Sequence, residues 1–151
     1  MMNEAMFSSQ RTDWETPKEL FDELDREFHF TLDPASTDEN AVCKKHFTPR
    51  EDGLTQSWHG ETVFCNPPYG RDLPVWIEKA ATEARKGATV VMLIPARTDT
   101  KAFHDFIYGK AEIRFLKGRL KFGLGGVSSD AAPFPSMVVV FRPEVDNERN
   151  D

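Results

Sequence analysis

Residues 88–96, ATVVMLIPA, hold no charged side chain, and they lie between Gly87 and the break at Pro95. A strand half-exposed to water alternates apolar and polar residues. A run with no polar face belongs to a strand covered on both sides. Such a strand needs layers above and below it, and the flanking sequence supplies them. Val75, Trp76, Lys79, Ala80, Glu83 and Ala84 fall at helical spacing and lead to Gly87, a natural residue just past a helix end. Ala102, Phe103, Phe106 and Ile107 repeat that spacing within residues 100–108.

Upstream, Thr16-Pro17-Lys18-Glu19 reads as a helix start, with Thr16 as N-cap, Pro17 at the first position and Glu19 completing a capping box. Leu20, Phe21, Leu24 and Phe28 then place a helix over about 17–27. Phe28, Phe30 and Leu32 alternate with polar residues as a short strand does, and Asp33-Pro34 stops it. Residues 39–45 read as a short helix, Asp52-Gly53 as a turn, and ETVFC (61–65) as a strand. Toward the end AEIRFL, GRLKFG and SMVVVFR are three strand candidates. The expected architecture is a three-layer α/β domain with a mainly parallel sheet, closed by a C-terminal antiparallel hairpin. Parallel pairing puts Asp33-Pro34, Asn66-Pro67 and Pro95-Ala96-Arg97 at one rim, where such sheets bind ligands. The expected organisation is a loose arm over 1–12, one domain over 13–143 and a loose tail over 144–151, with no internal repeat.

The 151 residues suffice for one core without disulfide or metal staples. No apolar run approaches the roughly 18–20 residues of a membrane span. The start, MMNEAMFSSQ, has neither a basic nor an apolar segment of the secretory kind. Cys43 and Cys65 lack C-x-x-C spacing, and a reduced, cytosolic chain is expected. His29, His46, His59 and His104 show no metal-ligand spacing, so no metal site is expected. The net charge of −6 argues against a general coating of positive charge but permits a local basic face.

The chemistry is concentrated in VFCNPPYG, residues 63–70. Asn66-Pro67-Pro68-Tyr69 ends a strand with an amide, two stiff rings and an aromatic. A planar substrate with an exocyclic amine, such as adenine N6, is a poor nucleophile because its lone pair is delocalised into the ring. Two fixed acceptors, the Asn66 side-chain oxygen and the Pro67 carbonyl, would take both amine hydrogens and localise that pair. Adjacent prolines hold the turn extended. Tyr69 is a surface for stacking, worth about 1–3 kcal/mol per base. A target within a duplex must first be flipped out, at a cost of a few kcal/mol.

NPPY resembles motif IV of S-adenosylmethionine-dependent amino-methyltransferases. The motif alone leaves DNA adenine, RNA and protein glutamine as targets. DWETPKELFDEL, FTLDPAS, EDGLTQSW, VFCNPPYGR, WIEKA, LIPARTDTKAFH and KGRLKFG occur in that order. Together they resemble the small phage-encoded DNA N6-adenine methyltransferases, the phage Dam-like family, over residues 13–142. The resemblance implies a Rossmann-like methyltransferase fold, S-adenosyl-L-methionine as donor, and adenine N6 in double-stranded DNA as acceptor. It implies a phage- or prophage-encoded protein acting in the cytoplasm of a bacterial host, as monomer or homodimer. Asn66, Pro67, Pro68 and Tyr69 carry over as the catalytic motif. Asp33, Pro34 and Ala35 carry over to motif I beside the donor. Trp14, Thr16 and Pro17 match the motif X region, and Asp52 is placed at the donor's ribose or adenine, with Asn66 bordering the same site. Related enzymes carry a G-x-G turn after the first strand; DPAST has none. With DNA as substrate, Arg97 at the rim and the basic run Lys117, Arg119 and Lys121, with Arg114 before it, become candidate DNA contacts. Arg119 and Lys121 share a face if GRLKFG is a strand. A non-enzymatic nucleic-acid-binding module is the contrasting expectation.

Overall fold

The computed structural model describes residues 14–124, 127–128 and 131–143. The arm and tail expected at 1–12 and 144–151 lie outside the described residues. The elements run α1 (Lys18–Phe28), β1 (Thr62–Cys65), α2 (Leu73–Arg85), β2 (Thr89–Pro95), a π-helical segment (Phe103–Ile107), β3 (Glu112–Phe115), the short pair β4 (Gly123–Leu124) and β5 (Val127–Ser128), and β6 (Ser136–Phe141). The main sheet has the order β1-β2-β6-β3.

That sheet is mixed, and the mainly parallel expectation is corrected. β1 and β2 pair in parallel, whereas β2–β6 and β6–β3 are antiparallel. The physical reason is that an apolar run reports burial, not direction. β2 and β6 are buried along nearly their whole length, and β6 is wedged between β2 and β3 rather than closing an edge. The rim expectation survives, because the strand ends it needs do run in parallel. Leu32 bridges Val63 in parallel, and Thr62 to Cys65 align with Thr89 to Met92. The strand read at FHFTLDP is reduced to bridges at Leu32 and Asp33.

α1 lays Phe21 edge-on against Phe64, with ring centroids 5.2 Å apart, and buries Leu24. Its N-cap is Pro17, with no side-chain cap bond, so the Thr16–Glu19 capping box does not form. α2 turns Trp76, Ile77, Ala80, Ala81 and Ala84 into the core. Gly87 ends it at φ +112°, in the left-handed region that favours glycine.

Two expected elements are absent. Residues 39–45 form turns and bends: Thr37 and Asn40 make the reciprocal bonds that can open a helix, but the Val42 N–H that would continue it is taken by the Asp33 carboxylate. Thr37 N–H donates to Asn40 Oδ1 at 2.7 Å, Asn40 N–H to Thr37 Oγ1 at 3.2 Å, and Val42 N–H to Asp33 Oδ2 at 3.0 Å. GRLKFG is irregular over residues 118–122. Phe122 is fully buried against Trp14 and Phe134 there, so its apolar demand is met without a strand ladder. Arg119 and Lys121 therefore do not share a strand face.

Candidate active site

Asn66 follows the last residue of β1, and the next three residues run extended without regular structure. Its amide is held from both ends. Nδ2 donates to the Trp14 carbonyl and, at 3.0 Å, to Thr16 Oγ1. A carbonyl can only accept, so Nδ2 faces Trp14 and Oδ1 faces the other way. There Tyr69 Oη donates its one proton, with Asn66 Oδ1 at 2.8 Å and the Leu93 carbonyl at 2.9 Å as the two acceptors in reach. Burial pushes the Tyr69 phenol far above its ordinary pKa, with the Cys65 sulfur adding to the rise, so it stays a neutral donor. Oδ1 keeps a second lone pair for a further donor. Among the described residues, none donates to the Pro67 carbonyl.

Tyr69 is buried, with its ring edge-on to Phe134 and Phe122 at 5.6 and 6.3 Å. In this arrangement it walls a cavity and steadies Asn66. Trp14 packs edge-on to the same two phenylalanines, each at 5.5 Å.

Two cavities flank this group. The first, of about 360 Å³, is lined by Asn66 and Pro68, by Trp14, Glu15 and Thr16, by Asp33, Pro34 and Ala35, and by Asp52 and Gly53. Asp72 and the apolar Phe64, Leu54 and Trp76 are also in the wall. Four carboxylates line it, and no lysine, arginine or histidine does. Of the residues matched to the donor site, only Pro17 is not part of the lining.

Asp33 is buried and shapes the loop. Its carboxylate accepts from Ala35 N–H at 3.2 Å and Val42 N–H at 3.0 Å. Burial raises its pKa, against the lowering effect of those two bonds. Asp52 sits at φ +61° and caps the next turn by accepting Leu54 N–H at 3.1 Å. Gly53 presses on Pro34: a Cβ there would stand 2.1 Å from the Pro34 carbonyl oxygen. Gly53 thus lets the Asp52 loop touch the Pro34 loop, while the DPAST turn itself has no glycine.

The second cavity, of about 340 Å³, opens on the other side of the motif. Tyr69, Gly70, Ile94, Pro95, Phe134 and Met137 line it, with Trp14 shared between the two cavities. Arg97 and Thr100 are polar groups in its wall. Arg97 is exposed, and its guanidinium lies 5.9 Å from the Phe134 ring centroid.

The basic residues divide. Arg114 is committed to carboxylates, bidentate to Glu27 at 2.7 and 2.8 Å and bonded to Glu112 at 2.6 Å. Lys117, Arg119 and Lys121 are exposed, and Arg119 reaches the Ala132 carbonyl at 3.4 Å. Among the described residues no group of three or more side chains could hold a metal, and no helix is long and apolar enough to cross a membrane.

Sequence reasoning missed Gly53, Asp72, Phe122 and Phe134 as site residues. Asp72 carried a signal, standing just before the helical spacing of α2. The partners of the other three are remote in sequence.

The family model for DNA N-6-adenine-methyltransferase (Dam) matches residues 4–150. A DNA N-6-adenine-methyltransferase from Haemophilus phage HP1 (strain HP1c1) is 30% identical over 136 residues, covering 87% of this chain and 79% of that protein. A DNA N-6-adenine-methyltransferase from Escherichia phage T1 is 30% identical over 116 residues, covering 75% of this chain and 48% of that protein, about half of its length. With a match over nearly its whole length, the chain belongs to the DNA N-6-adenine-methyltransferase (Dam) family.

Proposed function

We propose that this chain transfers a methyl group from S-adenosyl-L-methionine to N6 of adenine in double-stranded DNA. The observation that carries this reading is the Asn66 amide, locked with Oδ1 turned away from Trp14 at the edge of an acidic cavity. The cavity suits the donor by its chemistry. A sulfonium nucleoside bears positive charge and no phosphate. Glu15, Asp33, Asp52 and Asp72 favour such a cation, and the absence of basic lining residues disfavours a phosphate. Phe64, Leu54 and Trp76 offer apolar surface to a purine.

When bound, S-adenosyl-L-methionine supplies a methyl group on sulfur that leaves as a neutral thioether. Asn66 Oδ1 and the Pro67 carbonyl accept the two hydrogens of the adenine amine and aim its lone pair. An amine held by these two acceptors would take that methyl group and lose one N6 proton to water. No tuned general base is required; positioning and fixed acceptors supply the rate. The flipped base enters from the second cavity, where Tyr69 and Phe134 present aromatic surface. Arg97 at that wall contacts the target strand, and Lys117, Arg119 and Lys121 meet phosphates. The protein would act in the cytoplasm of a bacterial host, as a monomer or a homodimer.

The test is transfer of labelled methyl to DNA, RNA and protein in parallel, followed by digestion. The expected result is label in N6-methyldeoxyadenosine alone. Label in RNA or glutamine, or donor-free DNA binding with no transfer, would overturn the assignment. Asn66→Ala is expected to lower turnover at least about 10²-fold, as loss of one preorganised group does.

A further inference from the structure

Thr16 stands where a helix cap is expected, yet α1 begins at Lys18 behind Pro17 with no side-chain cap. The Thr16 hydroxyl instead accepts from Asn66 Nδ2, a residue 50 positions away. We propose that Thr16 is a positioning residue for the Asn66 amide. Its hydroxyl and the Trp14 carbonyl hold that amide in the single orientation that turns Oδ1 toward an incoming amine. This rests on the role given to Asn66 above.

Donors and acceptors fix the orientation of the amide. An asparagine amide has two N–H hydrogens and one oxygen with two lone pairs. Trp14 O takes one hydrogen and Thr16 Oγ1 the other. A flipped amide would set Oδ1 against the Trp14 carbonyl, oxygen to oxygen, while Tyr69 Oη would lose its bond to Oδ1. Three contacts, two from the Trp14–Thr16 segment and one from Tyr69, thus agree on one orientation. Donation by both N–H groups also draws electron density toward Oδ1 and strengthens it as an acceptor. Trp14, Glu15 and Thr16 line the first cavity as well. The segment that lines the first cavity is therefore also the segment that aims the acceptor.

A positioning role and a donor-contact role separate kinetically. With wild type and Asn66→Ala measured first, Thr16→Val and Thr16→Ser are compared for kcat, KM for DNA and Kd for S-adenosyl-L-methionine. The expected result is a fall in kcat of about tenfold to a hundredfold for Thr16→Val, as misplacement of a reacting group brings, with KM and Kd within about threefold. Thr16→Ser is expected to recover most of the loss. An unchanged kcat in Thr16→Val, a loss confined to donor affinity, or a Thr16→Ser as impaired as Thr16→Val would overturn the proposal. Should Thr16→Val fail to fold, or the wild type fail to methylate DNA, NMR of the wild-type protein decides. The Asn66 side-chain NH2 pair, identified by its loss in Asn66→Ala, is expected to exchange slowly with water at both hydrogens. Rapid exchange at both would overturn the proposal. An active Asn66→Ala would instead overturn the role of Asn66 itself.

Discussion

Gly53 and Thr16 each do work over a distance that no local pattern displays. Gly53 lets two loops touch, since any side chain there would begin 2.1 Å from the Pro34 carbonyl oxygen. Gly53→Ala must push the Asp52 loop away from Pro34 or distort both. The expected cost is about 1–3 kcal/mol of stability, typical of overpacking, with weaker binding of the methyl donor. Denaturant unfolding and a donor titration check it; a variant matching wild type in both would contradict the placement of this wall. Asn66 to Tyr69 stood out in the sequence as a candidate site because the four residues are contiguous at a strand end. Thr16 was legible as a cap and, through the motif X resemblance, as a neighbour of the donor, but not as a partner of Asn66, since the pattern Thr-x-x-Glu is local whereas its hydroxyl meets Asn66 across the fold. The inward turn of Tyr69 was hidden for the same reason: Leu93, Phe122 and Phe134 come from elsewhere in the chain.

At the scale of elements, α2 is fastened to the loop before β1 by a buried carboxylate. Glu83 accepts the Trp58 N–H at 2.7 Å and pairs with Lys79 at 3.2 Å, with His59 and Lys86 at 3.8 and 3.9 Å. Burial raises the Glu83 pKa, but the Trp58 bond and the two lysines outweigh it, and the net shift is downward from 4.5. A carboxyl lowered in the folded state adds stability at pH above its unfolded value. That stability is lost as pH falls through the folded value. Glu83→Ala is therefore expected to destabilise the protein by about 3 kcal/mol at neutral pH, by leaving the buried Trp58 N–H without its acceptor and removing the carboxylate beside Lys79, which keeps the Gln56 carbonyl. The gap from wild type should narrow below about pH 4.5, as the wild-type carboxylate protonates. Unfolding curves across pH 3–7 check both; a gap that stays constant into acid would contradict the ion-pair account. α1, α2, β1, β2, β3 and β6 were legible because hydrophobic spacing and their end residues agree. The direction of β6 was not, because a doubly buried strand has the same composition either way up. The turns at 39–45 escaped because the Asp33 carboxylate, nine residues away, takes the Val42 N–H that a helix would use.

For the whole molecule, the question is how a chain of net charge −6 holds a polyanion. Its positive charge is unevenly committed. Arg114 ties the end of α1 to β3 through Glu27 and Glu112 and lies 5.4 Å from the Phe28 ring centroid, so its charge is answered within the protein. Lys117 and Lys121 are exposed on the following segment. Replacing either lysine with alanine is expected to lower the slope of log K against log salt by about 1. Arg114→Ala should leave that slope unchanged and lower stability instead. Binding titrations at several salt concentrations check this; a slope loss in Arg114→Ala alone would reverse the assignment of the basic face. Membership of the family was legible from segments spread along nearly the whole chain, whereas the division of basic residues depended on which carboxylates the fold delivers to each.

The most direct measurement of the central claim is base-resolution mapping of N6-methyladenine in DNA from cells expressing the wild-type chain or Asn66→Ala. The account predicts N6-methyladenine in a defined sequence context with the wild type and none above background with the variant, at equal protein levels. Absence of methylation with the wild type, or equal methylation with both, would contradict it.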